Sequence, residues 1–171
     1  YSNLEINIET TSHDTYLKTD NIKAQRNFSN NIMSNYLDFN MSKEDLDIEL
    51  EFNIYEDLSK NNTSDKFEYI YPNFIINKNL TTSLDSVGDL NYQVSGTQRK
   101  YETNKTEQLL VNDFIFSSKL FFSKFGFKSD YNLSFKNTNK DGKNSSNYKN
   151  ELQSDIYSLI SFNSSIPLIK K

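Results

Sequence analysis

The sequence predicts an all-β fold of antiparallel strands forming part of a transmembrane outer-membrane β-barrel. Standing alone, the chain would be a curved open sheet. Three observations predict this. The segment Asp45–Tyr55 alternates apolar and polar residues almost without a fault. Similar runs recur down the chain, near the 10 or so residues that a tilted strand crossing needs. Hydrophobic content is only 35%, below the roughly 45–50% of ordinary soluble domains. A sheet with one greasy face tolerates that deficit better than a soluble core does.

The runs can be taken in order. Leu4, Ile6 and Ile8 alternate with Asn3, Glu5 and Asn7, and Asp14 to Lys18 is a short second run. Leu37, Phe39 and Met41 alternate with Asp38 and Asn40, and Ser42-Lys43-Glu44 turns the chain tightly into the next strand. There Leu46, Ile48, Leu50, Phe52 and Ile54 share one face and Asp47, Glu49, Glu51 and Asn53 the other. We expect the first set to face lipid and the second to line a lumen. Ser59–Asp65 is a polar loop.

Phe67–Asn77 is an aromatic-rich strand holding Pro72. Proline donates no ladder hydrogen bond, so a bulge or a local edge is expected there. Leu90, Tyr92, Val94 and Gly96 keep one parity, as do Leu110, Phe114 and Phe116. Phe125-Gly126-Phe127 reads as a turn exit, followed by Tyr131, Leu133 and Phe135. Asn137–Asn150 reads as the longest polar loop, and Leu152, Ile156, Ile160 and Phe162 as the last strand. Both ends read as cuts, so residues 1–171 are expected to be a middle portion of a larger barrel.

The side-chain inventory argues against enzymatic chemistry, metals and cofactors. His13 is the sole histidine and there is no cysteine, so no cysteine-ligated or His-x-x-x-His zinc set exists, a triad would need His13 itself to act with partners, and a loop or strand-end polar residue is the plainer reading. Asp47, Glu49 and Glu51 sit about 6.5–7 Å apart along a strand, too far for one tight cation site. Net charge is −4, and no basic, aromatic stripe suggests nucleic acid. Lys18, Arg26, Arg99 and Lys100 are the cations that could meet lipid phosphates. Tyr69, Tyr71, Tyr92, Tyr131 and Tyr157 are candidates for an interfacial aromatic girdle.

Several segments resemble the barrel region of the outer-membrane lipopolysaccharide-assembly family (the organic-solvent-tolerance family). They are Ser12-His13-Asp14-Thr15-Tyr16-Leu17-Lys18-Thr19-Asp20-Asn21-Ile22, the turn Ser42-Lys43-Glu44-Asp45 and Phe67-Glu68-Tyr69-Ile70-Tyr71-Pro72-Asn73-Phe74. Tyr101-Glu102-Thr103-Asn104, Leu110-Val111-Asn112-Asp113-Phe114 and Asn163-Ser164-Ser165-Ile166-Pro167-Leu168 extend the likeness over roughly residues 10–170. The family's periplasmic β-domain and cysteines have no counterpart here. The resemblance implies a conduit rather than an enzyme, with lipopolysaccharide as cargo. It also implies a plug lipoprotein, periplasmic bridge proteins and outer-membrane lipid as partners. A small-solute porin and a soluble extracellular β-sandwich are the alternatives that the residues themselves leave open.

Overall fold

A computed structural model describes residues 1–15, 31–60 and 64–166. Among them there is no helix, and the strands form one open antiparallel sheet. The strands are β1 (Ser2–Asn7), β2 (Ile32–Lys43), β3 (Leu46–Asp57), β4 (Phe67–Leu80) and β5 (Gly88–Tyr101). Then come β6 (Thr106–Ser118), β7 (Phe121–Phe122), β8 (Lys128–Lys143) and β9 (Gln153–Ser165). Each strand pairs with its neighbour in sequence, except that β7 is a short continuation of β6 and both pair with β8. All-β structure is as expected from the alternation.

The turns follow local chemistry. Glu44 takes the left-handed conformation (φ 51°) in the two-residue connection between β2 and β3. Gly126 (φ 84°) closes the tip between β7 and β8, its N–H donating to the Ser123 carbonyl at 3.0 Å. Glycine adopts that φ without steric cost. Pro72 sits in a bulge. Asn73 faces Glu51 and Thr97, whereas Ile70 faces Asn53 and Arg99, so Tyr71 and Pro72 together oppose one residue on each neighbour. The extra residue removes the need for a proline N–H in the ladder.

One expected loop is not a loop. Residues 137–143 continue β8, and the connection to β9 is confined to 144–152. The polar side chains are held by pairing: Lys136 meets Asp113 (2.9 Å) and Lys140 meets Asp155 (3.0 Å). Lateral partners, invisible in one strand, make a polar stretch extended. Of the short run expected at Asp14–Lys18, Asp14 and Thr15 form a turn, and residues 16–18 lie outside the described residues. So do Arg26 and Pro167–Leu168.

Little is buried. Met33, Tyr36 and Leu58 are the buried hydrophobic residues among those described, and only Met33 and Leu58 cluster. Among the described residues, no second layer covers the sheet. Large hydrophobic side chains stand open instead, from Leu4 at 58% exposure to Ile160 at 76%.

Candidate functional site

The site is the sheet itself, because its two faces differ in chemistry. Directly paired residues share a face, so the register sorts every strand residue. Leu46, Ile48, Leu50, Phe52 and Ile54 stand on one face with Leu37, Phe39 and Met41 of β2. Leu4 and Ile6, Phe74 and Ile76, and Leu90, Tyr92 and Val94 extend that face. Phe114, Phe116, Leu133, Phe135, Ile156, Ile160 and Phe162 complete it. Two glycines of β5 lie beneath rings: a Cβ on Gly96 would stand 2.6 Å from the Phe74 ring, and one on Gly88 would stand 2.5 Å from Phe116. Aromatic cover of this kind compensates for the missing side chain.

The greasy residues do not lie along one ladder. The ladder through Phe39 reads Leu4, Phe39, Leu50, Phe74, Gly96, Leu110, Asn139, Ser154. It starts apolar and ends polar. The ladder through Leu133 reads Leu80, Leu90, Phe116, Leu133, Ile160, and leaves the sheet at β4. On β5 the two ladders are Gly96 and Leu90, six residues apart. The greasy centre therefore moves six residues over the five pairings from β2 to β8. That is about 1.2 residues per strand; with about 3.3 Å per residue and 4.8 Å between strands, the band runs about 40° from the ladder direction. Such a band is level when the strands lean by the same angle, and barrel strands in membranes lean by about 35–45°.

A polar seam interrupts the greasy face in a controlled way. The Tyr92 hydroxyl donates to Asn112 Oδ1 at 2.8 Å, and Asn112 Nδ2 donates to Asn137 Oδ1 at 3.4 Å. Asn139 Nδ2 also donates to Asn137 Oδ1, and Asn137 Nδ2 reaches Ser154 Oγ at 3.2 Å. The seam carries polar atoms from the centre of the band to its rim, each amide serving the next. It was missed in the sequence because its members lie on four different strands. The Asn137/Asn139 parity match inside an apparent loop is its only linear trace.

The other face is polar. Asp47, Glu49, Glu51 and Asn53 stand here together, opposite Ser42, Asn40, Asp38 and Tyr36. Glu5, Asp38 and Glu51 are direct cross-strand neighbours, and Asp38 is only 6% exposed. Tyr36 donates to Glu5 at 2.6 Å and Asn73 to Glu51 at 2.9 Å. No group of three metal-capable side chains occurs among the described residues. Cations of this face stand further along: Arg99 on Glu68 (3.0 Å), Lys136 on Asp113 and Lys140 on Asp155. Within β1–β3 themselves, no Lys or Arg shares this face with the acids. Ile75, Val111, Ile115, Tyr157 and Leu159 form apolar islands within it.

The tyrosine candidates divide. Tyr69, Tyr92 and Tyr131 are on the greasy face, with Tyr71 beside them at the bulge, whereas Tyr157 points to the polar face opposite Lys136. Phe67 stacks on Tyr69, and Tyr71 meets Tyr69 edge-on, both with centroids 6.2 Å apart, at one end of the band. Lys100 is exposed near that end. His13 is an exposed bend residue beside Ser12.

Beyond the strands, Lys66 is 7% exposed. It bridges Asp14 (2.9 Å) and Glu56 (3.1 Å), and the Asp14 bond foremost holds its pKa above the usual lysine value. Glu102 accepts from the Lys66 N–H, and Asp65 accepts from the Thr103 N–H, which lowers the Asp65 pKa. These bonds tie three connections together at one end of the sheet. No family model and no curated protein matches the chain.

Proposed function

We propose that this chain forms part of the wall of an outer-membrane β-barrel, with the greasy face toward lipid and the polar face lining an aqueous conduit. The oblique greasy band carries the reading. An exposed greasy face that no other described residue covers needs another apolar solvent, and a flat hydrocarbon slab is covered evenly only if strands lean by the angle the band shows. Along β3 the band runs from Leu46 to Ile54; projected at that lean it is about 20–25 Å tall, close to the apolar belt of outer-membrane barrels. Every seam amide has a lateral partner, as hydrocarbon demands of polar groups.

Transport of lipopolysaccharide to the outer leaflet is the cargo we propose. Its support is the likeness of residues 12–22, 42–45, 67–74, 101–104, 110–114 and 163–168 to the lipopolysaccharide-assembly family. The partners follow from the same likeness: a plug lipoprotein and periplasmic bridge proteins. The mechanism is physical. A polar wall passes saccharide, and the greasy face holds the sheet in lipid.

The absence of cysteine gives a clean test. Single cysteines replacing Leu50, Leu133, Glu49 or Ser134 in the membrane-inserted protein are exposed to a water-soluble maleimide. Labelling at positions 49 and 134 with protection at 50 and 133 is the expected pattern. Equal labelling at all four overturns the barrel reading. For the cargo, depletion should stop newly made lipopolysaccharide reaching the cell surface, and undisturbed display would exclude that assignment.

A further inference from the structure

Residues 119–128 are ten consecutive exposed residues, reading Lys-Leu-Phe-Phe-Ser-Lys-Phe-Gly-Phe-Lys. Five are Leu or Phe, three are Lys, and none is acidic. Phe125 is 86% exposed and Phe122 71%. Soluble surfaces seldom carry apolar side chains in such a block without using them.

The tip is ordered by its own bonds, so the exposure belongs to a built hairpin. Ser123 N–H donates to the Phe127 carbonyl at 2.9 Å, and Ser123 Oγ accepts from the N–H groups of Phe125 and Phe127 at 3.3 and 3.2 Å. At its root, Lys119 N–H donates to the Val87 carbonyl at 2.7 Å, and the Lys119 ammonium donates to the Asp85 carbonyl. Phe121 pairs with Ser129 and Phe122 with Lys128, so the two rings fall on opposite faces. Phe127 shares the parity of Leu133, six residues away along β8. At the lean found above, six residues place it about 15 Å from the centre of the greasy band, at the border of hydrocarbon and headgroups.

We infer that this hairpin tip docks into the headgroup layer of an anionic lipid leaflet. Rings that enter and lysines that reach back to phosphates are the composition of an interfacial anchor. The lysines choose anionic over zwitterionic lipid; each is worth about five-fold in docking equilibrium, so Lys124 and Lys128 together are worth on the order of 25-fold. The depth assigned to the tip rests on the barrel reading; its composition and exposure do not.

The chain holds no tryptophan, so Phe125→Trp and Leu133→Trp each give a single indole probe. Each variant is carried in the complete barrel, with any tryptophan outside this chain replaced by phenylalanine, and reconstituted in vesicles of phosphatidylcholine, with or without phosphatidylglycerol, carrying brominated lipids. The Phe125→Trp indole should be quenched by bromine near the headgroup, more strongly in anionic vesicles. Lys124→Gln with Lys128→Gln should abolish that anionic preference. The Leu133→Trp indole should be quenched by bromine deep in the acyl chains in both vesicles. Failure at position 125 with success at 133 overturns the tip docking and leaves the barrel. Success at 125 with failure at 133 does the reverse. A tip indole open to aqueous iodide in both vesicles, or shielded only after a partner protein is added, also overturns it.

Discussion

Phe39 and Asn139 stand on one hydrogen-bonded ladder, yet on the proposed barrel the oblique band puts them at different depths. Arginine at each position measures the difference. Phe39 lies at the centre of the greasy run on β2, and Leu133 at the centre on β8. Asn139 is six residues from Leu133, which at a 40° lean is about 15 Å, beyond half of an apolar belt about 25 Å tall. Arginine at the bilayer midplane of a barrel costs about 2–4 kcal/mol and near an interface about 0–1 kcal/mol. Phe39→Arg and Leu133→Arg should therefore each cost about 2–4 kcal/mol, and Asn139→Arg at most about 1 kcal/mol, including its lost bond to Asn137. The assay is reversible urea unfolding from lipid vesicles, read by the electrophoretic shift of folded barrels. Equal costs at Phe39 and Asn139 would refute the oblique band, because depth would then follow the ladder.

Further outcomes follow from the same geometry. Asn112→Leu should cost about 1 kcal/mol, since the Tyr92 hydroxyl loses its acceptor; adding Tyr92→Phe should restore most of it, which a double-mutant cycle measures. Gly88→Ala should cost more than Gly96→Ala in the same unfolding assay. Its Cβ would meet the Ser117 carbonyl at 2.5 Å, whereas the Gly96 Cβ mainly displaces the movable Phe74 ring. Lys66→Met should cost roughly 1–2 kcal/mol, between an exposed and a buried ion pair, and should raise proteolysis near residue 14. The Lys66 contribution is complete below pH 10.5, its unfolded value, and fades as pH rises through the higher folded pKa. Asp65 behaves oppositely: its bond to Thr103 is worth most above pH 3.8 and is lost as pH falls through the lower folded pKa, a loss that Asp65→Asn should remove from acid unfolding curves.

Legibility in the sequence varied with how local the signal was. Asp45–Tyr55 reveals its faces unaided, because period-two alternation is a property of one strand. Pro72 announces its bulge through a missing N–H. Residues 137–143 mislead because Asn, Lys and Thr carry no apolar mark; only partners on β6 and β9 show them to be extended. Tyr157 looks like its fellow tyrosines until pairing with Lys136 places it on the polar face. The lean of the band belongs to no single strand at all. It emerges only when registers are chained across the sheet.

The edges of the sheet have a consequence for assembly. Among the described residues, no strand pairs the outward amides and carbonyls of β9, which runs for 13 residues. In water those groups are satisfied by solvent. In hydrocarbon about a dozen would go unmet at several kcal/mol each, tens of kcal/mol in all. On the barrel proposal, entry of this wall into a bilayer is tied to the moment its rim is paired. A half-built sheet is held at the aqueous surface by its own backbone, and completion of the hydrogen-bonded circuit is what admits it.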